Sequence, residues 1–532
     1  MRPCQGRDQG SIPCSRTDFK VMNTLNKETV PPFVSHVTET LQKNGFEAYL
    51  VGGCVRDMFM DIQPKDWDIT TNARPEEIRG CFLDLKTVYE NTFGTVTVIN
   101  MPSDETLRDI SYVTKPLEAQ ITTYRSEGSY TDNRRPDSVT YETSLEKDLE
   151  RRDFTMNAIA FNPINGELKD IFNGQSDIKD KIIRSVLNAN QRFNEDALRM
   201  LRAIRFSTAL HFAIAEETMS ALIANAGLLK NISQERIRDE FTKIILSDSP
   251  AVGIDTLQKT GLLHFISSEL EEGMGVDQKG AHIYDVYNHL LHALQHAADK
   301  HFSLEIRLAA LFHDIGKPAT RRYDAKKDKY TFFGHEVVGA RIAKKVMERM
   351  KFSRETTTLV VSLVRNHMFF SDTEQITLSA VRRIIQKVGH EHIWELMEVR
   401  ECDRVGMKKA EAPYRLRKYH AMIDEALRDP VSVSQLAIDG TYLMTKLHPP
   451  THSSGETGMK PGPRMGWILH ALLEEVLDDP TLNTIEQLHK RALDLNGLAD
   501  NDLKKLGEKG KEQKEAANEA EVGELRKKHR VK

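Results

Sequence analysis

Two aspartates at a spacing of two, Asp66 and Asp68, stand in the stretch "DWDI". Residues i and i+2 of a strand point to the same face, so a strand here would present both carboxylates side by side. Hard divalent cations such as Mg²⁺ take oxygen ligands and keep coordination positions for substrate phosphates. A lone pair of this kind is more often a solvated strand edge, so the interpretation depends on neighbouring residues.

A glycine pair precedes these aspartates in "LVGGCVRD". Gly52 and Gly53 lack side chains, so backbone N–H groups there can approach an anion closely. Arg56 and the start of the helix that follows would add positive potential. A tight turn from strand to helix also favours glycine, but the glycines and the aspartates together predict a phosphoryl-transfer site.

Two later stretches are rich in arginine: "LERRDFTMNAIAFNP" at 149–163 and "RFNEDALRMLRAIRF" at 192–206. On a single helix Asp196 and Arg199 would share a face, and Arg202 would extend the row. Surface salt bridges are the usual result of such spacing. The density of arginine instead favours triphosphate binding, because guanidinium groups pair well with phosphate.

A second set of residues lies further along the chain. His313 and Asp314 follow an apolar helical segment in "EIRLAALFHDIGKP". Other residues that could bind a metal occur at intervals on either side, namely His289, His335, His367 and Asp403. A single histidine is usually a core or surface residue, but this combination is more specific. Imidazole and carboxylate ligands suit Mn, Ni, Co, Fe or Zn, and a bridging aspartate can hold two metals.

The elements that must position these residues change along the chain. Strand and helix patterns alternate to about residue 165, and from Ile178 nearly every pattern is helical. The predicted fold class is therefore α+β, with an N-terminal mixed α/β part followed by mostly helical domains. The last stretch, from Asn501, consists mainly of lysine, glutamate and alanine and cannot bury a core.

Composition limits the class of protein. A chain of 532 residues with a net charge of -4 needs several folding units, and any nucleic-acid surface must be a local patch. No apolar run approaches the roughly 18 residues that a membrane helix requires. Five scattered cysteines favour a reducing compartment, which predicts a cytoplasmic protein. The first residues are polar and predict a disordered tail without a secretory signal, with Met22 as a candidate true start.

Taken in order, "LVGGCVRD", "DWD", "RRDFTMNA", "EDALRMLRAIRF" and "QERIRDEFTKIIL" resemble the class II tRNA nucleotidyltransferases. This family comprises the CCA-adding enzymes and their bacterial poly(A) polymerase relatives. The resemblance covers about residues 30–500. It implies addition of the 3′-terminal CCA to tRNA from CTP and ATP without a nucleic-acid template. A poly(A) polymerase that uses ATP alone is the alternative.

The resemblance also assigns roles to single residues. Asp66 and Asp68 become the catalytic carboxylates that bind Mg²⁺. Glu235 and Arg238 match a motif that braces the neck. Nucleotide binding falls to the glycine pair and to the arginine-rich stretches, that is, to Gly52, Gly53, Arg56, Arg152, Asp153, Asp196, Arg199, Arg202 and Arg205.

Gln120 departs from the resemblance, because relatives usually have a carboxylate where "QITTYR" begins. Glutamine cannot act as a base or as a strong metal ligand, and Glu118, two residues earlier, is the candidate substitute. The stretch at 125–141 resembles a flexible loop that allows a switch from CTP to ATP. The stretch at 455–477 matches a region near the tRNA acceptor arm, although it also reads as a loop and helix cap.

The histidine set resembles the HD-domain phosphohydrolases and fills every position expected of them. This resemblance implies an accessory metal-dependent hydrolase that acts on cyclic phosphates or phosphomonoesters at damaged RNA ends. The predicted domains are a disordered tail (1–22), a nucleotidyltransferase palm (23–165), a helical neck (166–275), an HD domain (276–410), a helical tRNA-binding tail (411–500) and a charged tail (501–532).

Overall fold

The computed structural model describes residues 25–90, 94–100, 117–127, 139–278, 282–326, 328–368, 376–407, 413–447, 459 and 461–507. The chain divides into two compact units. Unit 1 comprises residues 1–271 and 349–352, and unit 2 comprises residues 272–348 and 353–532. The division into six predicted domains is finer than this and stays a prediction.

The strands of unit 1 are β1 (Ala48–Val51), β2 (Trp67–Thr71), β3 (Lys86–Glu90), β4 (Thr95–Ile99), β5 (Glu118–Thr123), β6 (Arg125–Glu127), β7 (Val139–Tyr141), β8 (Ala160–Phe161), β9 (Leu168–Lys169), β10 (Ile182–Ile183) and β11 (Ala213–Ile214). Seven of them form one mixed sheet in the order β3-β4-β5-β2-β1-β8-β9. Strands β2 and β5 run parallel, and the other neighbours are antiparallel. Three of the strands predicted from sequence, at "DWDIT", "GTVTVI" and "AQITT", are confirmed as β2, β4 and β5.

The helices of unit 1 are α1 (Pro32–Lys43), α2 (Gly53–Phe59), α3 (Pro75–Cys81), α4 (Leu145–Glu150), α5 (Gly174–Asp180), α6 (Ala189–Glu195), α7 (Leu198–Leu210), α8 (Glu216–Asn225), α9 (Gln234–Ile245), α10 (Pro250–Lys259) and α11 (Leu263–Glu271). Part of the core lies where the sheet meets α4, and Val51, Tyr124, Leu149 and Ala160 are almost completely buried there. This packing fixes the ends of β1 and α4, from which the candidate phosphate-binding residues project.

Unit 2 is mostly helical. Its helices are α12 (Val286–Asp299), α13 (Leu304–Phe312), α14 (Lys317–Thr320), α15 (His335–Arg349, which ends at the unit boundary), α16 (Arg354–Asn366), α17 (Leu378–Val388), α18 (Ile393–Asp403), α19 (Pro413–Ala426), α20 (Gly440–Lys446), α21 (Pro463–Asp478) and α22 (Ile485–Asn496). Its described strands, β12 (Arg322–Asp324) and β13 (Lys329–Thr331), pair as an antiparallel hairpin. Short 3-10 helices in the two units span Lys27–Thr29, Thr155–Asn157, Ala226–Asn231, Val433–Gln435 and Pro480–Leu482.

Local signals explain why the central helices of unit 2 begin where they do. The side chains of Asp285, Ser303 and Ser353 each accept a hydrogen bond from a backbone N–H in the first turn of α12, α13 and α16. Small buried residues then let α12 and α13 approach closely, as Ala293, Ala297 and Ala310 are all 0% exposed. These are the helices that carry or precede most of the histidine set.

The α+β fold class is confirmed, since a mixed sheet near the N-terminus is followed by mainly helical structure. Three predictions lie wholly or largely outside the described residues. They are the tail at 1–22, the charged tail at 501–532, of which 508–532 are not described, and the loop at 125–141, of which 128–138 are not described. Residues 455–458 and 460 of the predicted tRNA-binding stretch are also outside the described part.

Candidate active sites

The first candidate site is built on strand β2. Trp67 and Ile69 point into the core and are 2% and 1% exposed. Strand alternation places Asp68 on the opposite face. Asp66 directly precedes β2 and is therefore outside the strand that was predicted to carry both aspartates. Asp66 is exposed and Asp68 is partly buried. The two carboxylates therefore stand together at the solvent-facing end of the strand.

Asp68 lies against two other predicted residues, Gly52 and Arg152. Gly52 has a φ of +81°, and a Cβ atom there would lie 3.3 Å from Arg152 Nη1 and 3.5 Å from Asp68 Oδ2. Glycine is required because an L side chain disfavours this φ and would enter the gap between the charged groups. Gly53 begins α2 and would bring a Cβ 3.6 Å from Arg56 Nη2. We call Gly52, Asp66, Asp68 and Arg152 the palm centre.

The palm centre is suited to a cation. Burial raises the pKa of Asp68, Arg152 opposes that rise, and the charge of Asp66 adds to it. A divalent cation would relieve the repulsion between the two carboxylates, and oxygen donors of this kind match Mg²⁺. Gln120 is the register partner of Asp68 on β5, and both Gln120 and Glu118 are exposed. The position that lacks a carboxylate in this sequence is thus directly beside Asp68.

A buried aspartate that the sequence analysis missed holds the arginines of this centre. Asp148 is 0% exposed and accepts hydrogen bonds from Arg151 Nη2 at 2.7 Å, Arg152 Nη2 at 3.1 Å and Thr70 Oγ1 at 3.0 Å. Burial would raise its pKa, but the two guanidinium groups lower it to about 2. The spacing of three and four residues from Asp148 to the arginines was the available sequence signal.

A second group of predicted residues forms one connected network. Arg202 donates to Asp153 Oδ2 through Nε at 2.8 Å and Nη2 at 2.6 Å. Asn157 donates to Asp153 Oδ1 at 3.1 Å and accepts from Arg56 Nη1 at 2.9 Å. Burial would raise the pKa of Asp153, but Arg202 and Asn157 hold it well below its usual range. Hydrogen bonds between side chains therefore connect three stretches that are far apart in the sequence, namely "VRD", "RRDF" and "LRAIRF".

An aromatic ring organises the arginines of this network. The guanidinium groups of Arg56, Arg202 and Arg205 lie 5.1, 5.4 and 4.2 Å from the centroid of the Phe206 ring. The face of an aromatic ring attracts cations, which offsets part of the repulsion among three like charges. Arg205 is further held by Glu240, whose Oε2 lies 3.2 Å from Arg205 Nε.

The expected arrangement of Asp196 and Arg199 on one helical face is wrong. Asp196 has φ −137° and ψ 104°, and it lies between α6 and α7. Its Oδ1 accepts from Leu198 N at 3.0 Å, so the side chain caps the start of α7 instead of joining the row of arginines. A polar side chain that can bond the backbone just ahead of a helix competes with helical geometry at its own position.

The two residues also have different side-chain partners. Arg236 donates to Asp196 Oδ2 at 2.7 Å and to Oδ1 at 3.3 Å. Arg199 is 8% exposed and donates to Glu195 Oε2 at 2.8 Å and to Arg151 O at 3.0 Å. Neither side chain orients the other, and each is positioned by a separate element.

Helix α9 supports this region through residues other than the two predicted. Glu235 is exposed. Arg238 pairs with Asp239 and donates to the backbone carbonyl of Lys351 at 2.5 Å, so it joins α9 to a distant part of unit 1. Arg236 and Glu240 instead make the contacts to Asp196 and Arg205. Their spacing of four residues places them on one face of the helix, and this was the signal in "ERIRDE".

The second candidate site lies in unit 2, where the structure brings all six predicted residues together. We call this set, His289, His313, Asp314, His335, His367 and Asp403, the HD centre. It comprises two overlapping groups, His289–His313–Asp314–Asp403 and Asp314–His335–His367, each with ligand atoms within 4.8 Å of one another. All six residues are less than 10% exposed.

The orientation of the imidazole rings suits metal binding. The Nδ1 atoms of His313, His335 and His367 lie 2.7–2.8 Å from backbone carbonyls three residues earlier. A carbonyl only accepts, so in the neutral ring the proton is on Nδ1 and the lone pair of Nε2 faces the centre. His289 Nε2 lies 3.0 Å from His313 Nε2, and His335 Nε2 lies 3.3 Å from His367 Nε2. The two Nε2 atoms of each pair are close enough for one cation to bind both rings.

Asp314 connects the two groups. Its Oδ2 lies 3.3 Å from His313 Nε2, and its Oδ1 lies 3.1 Å from His335 Nε2. The two oxygens thus face different histidine pairs, which fits a carboxylate that bridges two cations. Burial would lower the pKa of His313, but Asp314 and Asp403 raise it to about 10, so the cluster attracts positive charge.

Lys317 is a buried cation that the sequence analysis did not select. Its Nζ lies 2.5 Å from Asp314 Oδ2 and donates to Gln278 Oε1 at 2.7 Å. It stands three residues after Asp314 in "HDIGK", a spacing that places it one helical turn onward. Lys317 therefore neutralises part of the carboxylate charge at the HD centre.

Three family profiles match separate segments of the chain. The poly A polymerase head domain matches residues 48–184, a probable RNA and SrmB-binding site of polymerase A matches 211–274, and the HD domain matches 281–407. Across the described residues, none of the helices is both long and apolar enough to cross a membrane.

Relatives and solved structures extend the comparison. A CCA-adding enzyme of Lactobacillus delbrueckii subsp. bulgaricus is 45% identical over 42% of this chain, and the match spans 53% of that relative. A crystal structure of the Bacillus stearothermophilus CCA-adding enzyme in complex with CTP covers 88% of this chain and 98% of its own, with a TM-score of 0.63 and 26% identity.

One relative aligns along nearly its whole length. The CCA-adding enzyme of Lactobacillus helveticus is 31% identical over 86% of this chain and 96% of its own. The match spans both units, and the palm centre lies where the head-domain profile predicts a nucleotidyltransferase. The chain therefore belongs to the CCA-adding enzyme family.

Proposed function

We propose that this chain adds the 3′-terminal CCA to tRNA from CTP and ATP. The observation that carries this proposal is that the Asp68 carboxylate and the Arg152 guanidinium group both lie close to Gly52, where a side chain would reach them. The names of the relatives described above support the same reaction.

Divalent cations held by Asp66 and Asp68, with Mg²⁺ the proposed ion, would stabilise the attacking and leaving oxygens of an in-line transfer. Arg152 lies beside these carboxylates and can donate to phosphate oxygens, while Asp148 keeps its guanidinium group in place. Gly52 leaves the backbone open to the triphosphate. The 3′-hydroxyl oxygen of the RNA forms a bond to the α-phosphorus as the bond to the β,γ-diphosphate breaks.

Asp196 and Arg199 are the proposed readers of the base. A carboxylate only accepts hydrogen bonds and a guanidinium group only donates them. Cytosine and adenine both present an amino donor beside a ring-nitrogen acceptor, whereas uracil and guanine present the reverse order. A carboxylate that accepts from the amino group, together with a guanidinium group that donates to the adjacent ring nitrogen, would therefore select C and A, and Arg236 orients the carboxylate of Asp196.

The test is incubation of the full chain with a tRNA that lacks its terminus and one labelled nucleotide at a time. Incorporation of CTP, then of ATP, and then arrest is the expected result. Continued incorporation of ATP alone would instead identify a poly(A) polymerase. This is the alternative because two of the matching family profiles describe parts of poly A polymerases.

We further propose that the HD centre is an active phosphohydrolase. The support is that all six ligand positions are filled and converge on one buried cluster, an arrangement that a purely structural domain does not need. Transition-metal cations such as Mn, Ni, Co, Fe or Zn would activate water there. At a 2′,3′-cyclic phosphate, water adds to phosphorus, one ring P–O bond breaks, and the departing oxygen leaves as a hydroxyl with a proton from the water.

Hydrolysis of 2′,3′-cyclic nucleotides by the metal-loaded chain, measured with Mn²⁺, Ni²⁺, Co²⁺ and Mg²⁺ in turn, tests this second proposal. The expected result is turnover with at least one transition metal and loss of turnover on chelation. Absence of hydrolysis with all four ions would make the HD domain a scaffold.

A further inference from the structure

A β-hairpin leads directly into the HD centre. Strands β12 and β13 pair from Arg322 to Thr331, and the chain then reaches His335 within four residues. The backbone carbonyl of Phe332 accepts a hydrogen bond from His335 Nδ1 at 2.7 Å. The hairpin and a ligand of the HD centre are therefore held together.

The hairpin exposes aromatic rings. Phe333 is 73% exposed and Tyr323 is 54% exposed, although both are large rings that folded proteins usually cover in part. The Tyr323 ring lies 5.4 Å from that of Tyr330, and the Arg321 guanidinium group lies 3.7 Å from the Tyr330 centroid. Rings and guanidinium planes of this kind are surfaces on which bases stack.

The hairpin is also basic. Among its described charged residues, four are basic (Arg321, Arg322, Lys326 and Lys329) and two are acidic (Asp324 and Asp328). Both acidic side chains bond within the hairpin, since Asp324 accepts from Lys326 N at 3.0 Å and Asp328 accepts from the Tyr323 hydroxyl at 2.7 Å. The net charge of these six residues attracts a phosphate backbone, whereas the whole chain has a net charge of -4.

The hairpin leads to His335, one of the two more exposed ligands of the HD centre. Among its six ligands, the side chains of His335 and Asp403 are 7% and 11% exposed, and those of the other four are at most 1% exposed. Phe333 precedes His335 by two residues, and Met368, directly after His367, is 46% exposed. A substrate that enters beside His335 would thus meet the exposed face of the hairpin.

We propose that the hairpin surface, defined by Arg321, Arg322, Tyr323, Lys329, Tyr330 and Phe333, binds the last bases of single-stranded RNA. The inference rests on the proposed hydrolase function and names its substrate class. The HD centre then acts on the terminal phosphate of an RNA chain in preference to the phosphate of a free nucleotide, because only a chain has further bases to stack and further phosphates to pair.

The experiment compares two substrates in the full, metal-loaded chain: a single-stranded RNA oligonucleotide that ends in a 2′,3′-cyclic phosphate, and 2′,3′-cyclic AMP. Phe333→Ala and Tyr323→Ala should each lower kcat/KM for the oligonucleotide by about ten-fold, the size expected when a base loses its stacking partner. The kcat/KM for cyclic AMP should stay within about two-fold, because the ligands of the HD centre are intact.

A matched pair of charge reversals separates a local effect from general repulsion of RNA. Lys329→Glu lies on the hairpin, whereas Lys345→Glu lies on the exposed side of α15, ten residues beyond His335 and thus about 15 Å along the helix. Lys329→Glu should weaken turnover of the oligonucleotide and make its decrease with rising salt shallower, because a basic phosphate contact is lost. Lys345→Glu should change it little.

Three results would overturn the proposal: equal losses on both substrates, which would make the hairpin a support for His335; no loss on either; or equal effects of the two lysine reversals. If the wild-type chain hydrolyses neither substrate, the proposed hydrolase function is wrong. The proposed RNA-binding surface is then tested by cross-linking instead of by turnover. An oligonucleotide with a 3′-terminal 5-iodouridine should then photocross-link to Tyr323 or Phe333. Cross-links exclusively elsewhere would reject the hairpin as an RNA-binding surface.

Discussion

The palm centre and the HD centre both collect carboxylates, but their accessibility differs. Asp66 is exposed and Asp68 is partly buried, whereas Asp314, with its four neighbouring imidazoles, is almost completely buried. A cation at the palm centre can arrive with a triphosphate and leave with the diphosphate. A cation at the HD centre is enclosed by protein ligands and must be part of the folded unit.

The groups that hold the site residues in place also differ between the two centres. Asp148 holds the guanidinium group of Arg152 at the palm centre, and Asp153 holds that of Arg202 in the network around Phe206, so both groups are prearranged for an anion that is not part of the protein. At the HD centre, backbone carbonyls fix the imidazole tautomers, so lone pairs are prearranged for a cation. The same chain therefore prepares one site for a mobile substrate and the other for a resident ion.

The largest expected effect comes from the palm carboxylates. Asp66→Ala with Asp68→Ala should reduce nucleotide addition by at least about 10³-fold, because charge stabilisation of the transferred phosphate is lost. Incorporation of labelled CTP into tRNA measures the effect. Asp84→Ala, at an exposed carboxylate between α3 and β3, is the control and should retain activity. Near-normal addition by the double variant would reject the palm assignment.

Substitutions in the HD centre should abolish hydrolysis and leave nucleotide addition intact. His313→Ala with Asp314→Ala should abolish metal-dependent hydrolysis of 2′,3′-cyclic nucleotides and lower the bound metal measured by mass spectrometry, while CCA addition continues. Chelation should lower the Tm of the wild type more than that of the double variant, because an ion that binds only the folded state stabilises it. His470→Ala, at an exposed histidine of α21, serves as the control. Loss of both activities would contradict independent centres.

A smaller effect is expected at helix α9, where two arginines on different faces form a matched pair. Arg236→Ala removes the fork that orients Asp196 and should reduce discrimination between CTP and UTP by about ten-fold, the value of one charge-assisted hydrogen bond. Arg238→Ala removes contacts to the neighbouring Asp239 and to the backbone carbonyl of Lys351, neither of which contacts Asp196 in the hydrogen bonds described, and should leave discrimination unchanged. Ratios of kcat/KM for the two nucleotides measure the effect, and equal changes in both variants would make Arg236 merely structural.

The last prediction concerns stability and its dependence on pH, and no change in activity. The folded-state pKa of Asp148 is lowered to about 2, so its ionised form stabilises the fold above pH 4 and this contribution disappears as the pH falls from 4 to 2. Asp148→Asn should therefore cost about 2 kcal/mol near pH 7. Denaturant unfolding of unit 1 in the full chain measures this cost. A cost that stays constant down to pH 2 would show that charge is not its origin.

Much of both centres could be predicted from sequence because local rules determine it. Alternation in "DWDI" predicted that Asp68 lies on the face opposite Trp67 and Ile69, whereas Asp66 directly precedes β2. The φ of +81° at Gly52 explains why a glycine stands there. The order of motifs carried the family resemblance. The six residues of the HD centre were selected by residue type, because histidine and aspartate at such intervals have few other common uses.

Residues that act through long-range contacts could not be found this way. Asp148, Arg236 and Glu240 look like ordinary helix-surface charges until the tertiary structure places Thr70, Asp196 and Arg205 beside them. The break between α6 and α7 at Asp196 was also hidden, because the sequence there continues a helical pattern.

The sequence by itself determined which residue types could do chemistry and which strand or helix would carry most of them. Periodicity and turn chemistry act over a few residues, so they can be read directly from the chain. Only the tertiary structure decided which charges meet. Burial removes the water that would otherwise screen them, and it acts between residues that are up to about a hundred positions apart in the chain, such as Arg56 and Asn157, which are separated by 101 positions.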